Sequence, residues 1–153
     1  MPADIIVSAT GLKLQMLGGA RLTVDGEPVD LAQRVAYRGA MCEGVPNLAL
    51  AMGYTNASWT LKAELIARYV CRLLNHMRDH GEDYCVPVQA GPRGTTRPAL
   101  DLSSGYIQRA GGVLPQQGER KPWRMLQNYL QDMVSLRFSR LRDGALRFGR
   151  ANR

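Results

Sequence analysis

The sequence predicts an α/β fold, and three stretches carry that prediction. A β-branched run at 4–9 and an unbroken apolar run at 48–52 each read as a strand buried on both faces. From Ser58 to His80 the apolar residues recur every 3.6 positions, as in a helix with one buried face. The 153 residues, 45% of them hydrophobic, are enough for one sizeable core.

In chain order, Asp4-Ile5-Ile6-Val7-Ser8-Ala9 is a parallel strand closed by Thr10-Gly11. A domain rarely opens on a central strand, so this start points to elements upstream. Asp25-Gly26 supplies the positive φ angles of a tight turn between Leu22–Val24 and Glu27–Asp30. Pro28 has no N–H to give, which puts its strand at an edge. Val35 to Arg38 reads as a further strand. The turn Gly44-Val45-Pro46-Asn47 leads into Leu48–Met52, which stops at Gly53.

The helix starts at Ser58 or Trp59, with Asn56 or Ser58 as cap and Gly81 as terminator. Leu61, Leu65, Ile66, Tyr69, Val70, Leu73, Leu74 and Met77 form its inward stripe. Lys62, Arg68, Arg72, Asn75 and Asp79 fall off it, and Glu64 is spaced to pair with Arg68. Tyr84–Val88 reads as a short strand, and 89–100 and 111–122 as loops. Trp123 to Arg140 is a second helix with Pro122 at its start. Its expected core face is Leu126, Tyr129, Leu130, Met133, Val134 and Phe138.

The net charge of +7 comes mostly from arginines near the C-terminal end, among them Arg120, Arg124, Arg137, Arg140, Arg142, Arg147 and Arg150. A nucleic-acid groove would interleave aromatics with those charges, and Tyr129 and Phe138 are too sparse for that. A solvated helix face and a basic tail are expected instead. Cys42, Cys71 and Cys85 are odd in number and lack C-x-x-C spacing, which suits reduced thiols in a cytoplasmic protein. Cys71, on the helix, is expected to be packed. No secretory leader and no membrane-spanning apolar run is evident.

In an α/β sheet, ligands gather at the carboxyl ends of strands. The connection from Gly53 to Ser58 therefore either receives a negative or strongly dipolar group at the helix N-terminus, or is an ordinary βα turn. No two of the 16 glycines are spaced G-x-G, so there is no dinucleotide fingerprint and no P-loop. His76 and His80 share a helix face, but no third ligand is evident, and no metal is expected. Ser103-Ser104-Gly105 lacks the context of a nucleophile elbow. No residue is assigned a catalytic role.

Two stretches resemble the class B flavoprotein monooxygenases: 4–11, with its Ala-Thr-Gly end, and Gly44–Leu48 followed by Met52-Gly53-Tyr54-Thr55-Asn56-Ala57-Ser58-Trp59-Thr60-Leu61-Lys62-Ala63. Within that class the chain is most similar to the ethionamide-activating branch of the Baeyer–Villiger enzymes. Pro122-Trp123-Arg124, Gln127–Leu130 and Leu146-Arg147-Phe148 carry the likeness into the tail.

The resemblance implies a piece of a two-domain, Rossmann-type flavoprotein. Residues 1–11 would end the NADPH domain and cross over, 12–81 would complete the FAD domain, and 82–153 would form a C-terminal extension with one helix. It implies that Thr10, Gly11, Gly53, Tyr54, Asn56, Ala57, Ser58 and Trp59 lie near the cofactor, with the start of the helix at the pyrimidine end of the flavin. FAD and NADPH would serve the complete enzyme, whose substrate is a ketone or a sulfur compound. The family's two G-x-G-x-x-G loops and its F-x-G-x-x-x-H-x-x-x-W-P fingerprint are absent here. The chain alone is therefore expected to be inactive, to hold neither cofactor, to need the N-terminal FAD- and NADPH-binding portion as its partner, and to self-associate. The other reading is a small basic binding module that is not an enzyme.

Overall fold

The computed structural model describes residues 4–9, 11, 15–100 and 112–151. Helix α1 (Trp59–His80) is the element on which the main core is built. Leu65, Ile66, Tyr69, Leu73 and Met77 are buried along one side, at the three- and four-residue spacing that stacks side chains on a helix. The helix stops where Gly81 turns left-handed at φ 64°, with Gly81 and Glu82 donating to the last free carbonyls. Glu64 and Arg68 pair on the solvent side at 2.9 Å.

Lys62 departs from the expected pattern. It is 1% exposed and heads the buried stripe, whereas Leu61 and Leu74, expected inward, are 39% and 59% exposed. Cys71 also faces solvent, while Cys42 and Cys85 are buried. A stripe of about 100° cannot hold every apolar residue of so long a helix, and a buried counter-charge, described below, turns Lys62 inward.

Eight short strands occur among the described residues: β1 (Leu22–Val24), β2 (Glu27–Val29), β3 (Ala36–Tyr37), β4 (Met41–Cys42), β5 (Tyr84–Pro87), β6 (Arg97–Pro98), β7 (Gln116–Gln117) and β8 (Leu146–Gly149). They form two-stranded antiparallel pairs, β1 with β2, β3 with β4, β5 with β8 and β6 with β7. The β1–β2 turn has Asp25 at φ 53° and Gly26 at φ 84°, and it sets Leu22 opposite Val29. The architecture is a small mixture of helix and strand. Among the described residues the parallel sheet expected from the sequence is replaced by these antiparallel pairs and one parallel bridge, Val35 to Gln116.

Both stretches read as doubly buried strands are corrected. Residues 4–9 form no strand, with Ile5, Ile6 and Val7 at 83–86% exposure, because no described strand lies beside them to take their backbone hydrogen bonds. In 48–52 only Ala49 is bridged, to Met41. Leu50 and Met52 are buried while Ala49 and Ala51 are exposed. The run looked unbroken because alanine is apolar enough to read as core yet small enough to stand in water.

The second helix is shorter than expected and turned. Helix α2 (Tyr129–Met133) continues into a π turn at Val134–Phe138. Asn128 caps it by accepting from the Gln131 N–H. Trp123 lies outside it, buried edge-on against Tyr37 with ring centroids 5.5 Å apart. The Gln117 side chain takes the Met125 N–H, so 123–127 spends its backbone bonds outside a helix. Tyr129, Leu130, Val134 and Phe138 are 38–65% exposed, whereas Asp132 and Leu136 are buried. Part of the supposed tail is strand β8, which lies on β5.

Three cores result. The largest joins α1 to Val35, Tyr37, Met41, Trp123, Leu136 and Leu146. A second gathers Ala36, Met52, Ala99, Leu100, Leu114 and Met125. A third packs Leu31, Cys42, Val45 and Leu50 against the β1–β2 hairpin. Among the described residues no helix is long and apolar enough to cross a membrane.

Candidate functional site

The loop from Gly53 to Ser58 delivers the chain from the second core to the start of α1. Gly53 is buried, and a Cβ there would sit 2.2 Å from the Trp59 ring, so only glycine lets the indole fold back over the loop. Each of the next three residues is tied to a segment more than 70 positions later. The buried Tyr54 hydroxyl donates to Asp132 Oδ2 at 2.8 Å. Thr55 donates from its N–H and its hydroxyl to Gln127 Oε1, at 2.9 and 3.1 Å. Asn56 Nδ2 donates to the Gln127 carbonyl at 3.2 Å.

Beneath this loop lies a buried ion pair. Lys62 Nζ reaches Asp132 Oδ2 at 2.5 Å, with the two side chains 2% and 4% exposed. The ammonium is also 5.3 Å from the centre of the Tyr54 ring, where the ring face attracts a cation. Burial lowers the Lys62 pKa, and the hydrogen bond and charge of Asp132 oppose that fall. Burial and the bond to Asp132 raise the Tyr54 phenol, so it stays neutral and remains a donor. One carboxylate oxygen thus joins α1, α2 and the loop.

The start of α1 is open. Ser58 occupies the cap position but makes no capping bond; its hydroxyl pairs with that of Thr60 at 2.7 Å. The first turn has no acidic side chain, and Asn56 to Leu61 are all exposed. The cap expected from Asn56 or Ser58 is therefore not made, because Asn56 is committed to Gln127 and Ser58 to Thr60. What remains is a helix end with free amide donors and the positive end of its dipole.

Of the residues singled out from sequence, Gly53, Tyr54, Asn56, Ala57, Ser58 and Trp59 lie together here. Thr10 lies outside the described residues. Gly11 is exposed at φ 86°, and no hydrogen bond among the described residues joins it to the loop. Sequence reasoning missed Lys62, Gln127 and Asp132. Lys62 could have been found, since it falls one turn before Leu65 and Ile66 on their stripe. The spacing of Asn128 and Gln131 also signalled a helix start at 129. Nothing local marks Gln127. His76 Nε2 lies 3.7 Å from Glu82 Oε2, and no group of three metal-ligating side chains occurs among the described residues.

This loop and helix start belong to a recognisable lineage. Over 150 residues the chain is 49% identical to the FAD-containing monooxygenase EthA of Mycobacterium tuberculosis, covering 98% of this chain and 31% of that protein. It is 46% identical over 148 residues to EthA of Mycolicibacterium smegmatis, covering 97% and 30%. It is 45% identical over 154 residues to the Probable FAD-binding monooxygenase AlmA of Acinetobacter baylyi, again covering 97% and 30%. Over almost its whole length the chain is similar to these FAD-containing monooxygenases. It spans about three-tenths of the length of these relatives. No protein-family profile matches the chain, and no solved structure does.

The residues present fit the cofactor that the monooxygenase family implies. The pyrimidine edge of a flavin offers carbonyl oxygens and takes on negative charge when reduced. An uncapped helix start with no carboxylate in its first turn, exposed from Asn56 to Leu61, suits such an edge.

Proposed function

We propose that the chain is the C-terminal part of an FAD- and NADPH-dependent monooxygenase that oxidises ketones in the Baeyer–Villiger manner or oxygenates sulfur. In this reading residues 1–11 close an NADPH domain, 12–81 complete a Rossmann-type FAD domain, and 82–153 are its extension. The observation that carries it is the open start of α1 beside Gly53–Ser58, in a chain nearly half identical to FAD-containing monooxygenases over almost its whole length. A cytoplasmic setting belongs to the same reading and rests on the odd, unpaired cysteines.

When bound, the flavin would supply hydride acceptance and oxygen activation. The protein's part here is electrostatic and positional. Backbone donors at Asn56–Thr60 would hold the pyrimidine edge and favour its negative charge, at little reorganisation cost because the Gln127 and Asp132 ties fix the loop beforehand. Tyr54 stays protonated and orients the loop rather than exchanging protons. The Trp59 ring over Gly53 walls one side.

The test uses the complete enzyme. Replacing Ser58 with proline removes one backbone donor at the helix start. Loss of a fully preorganised donor is worth on the order of 3 kcal/mol, and an end open to water should give less. Flavin reduction potential and single-turnover reduction rate are expected to fall while NADPH affinity holds. An unchanged potential in a folded, FAD-saturated variant would show that the loop is only a connection. The chain alone, which has no G-x-G, is expected not to turn over NADPH.

A further inference from the structure

Beside the loop, on the side of Gln127, lies a groove of about 740 Å³ that the reading above does not use. Arg97, Arg120, Lys121 and Arg124 line it, against the single carboxylate of Glu119. Arg97 comes from β6, Arg120 and Lys121 from the turn that precedes Trp123, and Arg124 from the Trp123–Gln127 segment itself. All four are exposed, and among the described residues none makes an ion pair. The acidic side chains that do pair, Asp132 and Asp143 among them, are taken by Lys62 and Arg38.

Like charges crowded into one concavity repel unless something neutralises them, and a concave wall concentrates their field. The remaining lining suits a small molecule rather than water alone. Asn128 and Gln131 add amide groups, Ala99 and Met125 form an apolar wall, and the volume falls in the range of small-molecule sites. Thr55 stands at the rim, so the groove runs up to the loop at the start of α1. A single carboxylate would leave most of the excess charge unmatched. A phosphate or diphosphate matches it, and arginine forks bind its oxygens two at a time.

We propose that this groove is a binding site for the phosphate or diphosphate group of a small molecule, with its uncharged part against the Ala99–Met125 wall. The proposal does not depend on the loop facing a flavin.

The experiment is equilibrium titration of the full chain with inorganic pyrophosphate, NAD and NADP, repeated with the Arg120→Ala/Arg124→Ala double variant. Both side chains are exposed, so the fold should survive their loss, which circular dichroism checks. Saturable pyrophosphate binding that weakens at least tenfold in the double variant is the expected result. Tighter binding of NADP than of NAD would identify an isolated phosphate as the group held, and equal binding a diphosphate. No saturable binding at millimolar pyrophosphate, or equal affinity in wild type and double variant, would overturn the proposal. Binding of heparin that the double variant leaves unchanged, with no pyrophosphate binding, would also overturn it and favour a diffuse basic surface.

Discussion

Asp132 Oδ2 receives two donors, the Lys62 ammonium and the Tyr54 hydroxyl, in a place water does not reach. Removing one member of a buried pair strands the other charge, at about 3–5 kcal/mol, whereas an apolar replacement of both is often neutral. Asp132→Asn is therefore expected to lose about that much stability in urea unfolding. The double variant Lys62→Met/Asp132→Leu should recover most of it, leaving about 1–3 kcal/mol for the Tyr54 hydroxyl without its acceptor. A second network behaves differently because acid can reach it. Burial raises the Asp143 pKa, but hydrogen bonds from Arg38 and Tyr37 outweigh it and hold the carboxyl below its ordinary 3.8. The unfolded chain then takes up the proton first. The stabilisation is fully present above the ordinary carboxylate pKa and is lost as pH falls through the lower folded value. The gap in unfolding free energy between wild type and Asp143→Asn should stay level from about pH 7 to 5 and close below about pH 4. A gap that widens in acid would contradict the assignment.

The loop and helix start are sensitive to a single methyl group at Gly53. Gly53→Ala places a Cβ 2.2 Å from the nearest atom of the rigid Trp59 ring. The expected loss is about 1–3 kcal/mol, the usual range for overpacking. Trp59→Ala in the same chain should return most of it, and urea midpoints for the four proteins of that cycle measure the coupling. Helix α1 was legible in sequence from end to end, because periodicity and a terminal glycine are local signals. The site was half legible. Gly53 to Trp59 stood out as a loop before a helix, but its anchors at Gln127 and Asp132 did not. A side chain that accepts two hydrogen bonds from 72 residues away leaves no local pattern. Helix α2 misled for a related reason. Its apolar residues suggested one face, yet the Lys62–Asp132 pair and the bonds from Arg38 to Ser135 and Ser139 turn the opposite face inward. Polar pairing decided the orientation, and hydrophobic periodicity cannot see it.

At the scale of the whole molecule, the outward face of α2 and its π turn presents Leu130, Val134 and Phe138 at 57–65% exposure, and Ile5, Ile6 and Val7 are more exposed still. Apolar groups gathered this way favour association. The isolated chain is expected to run larger than its 16.9 kDa in sedimentation, with a Leu130→Lys/Phe138→Glu variant shifting it toward monomer. A wild-type chain that stays monomeric at high concentration would remove this expectation. The ties between Thr55 and Gln127 also bear on the order in which the chain is made. Synthesis adds roughly 5–20 residues per second, so the 72 positions between them take several seconds to appear. Throughout that interval the start of α1 can form while Tyr54, Thr55 and Asn56 still lack their hydrogen-bond partners at Gln127 and Asp132. The loop is thus among the last parts of the chain to take its shape, and a ribosome stalled between residues 80 and 120 would have made all of α1 while its threshold is still unfinished.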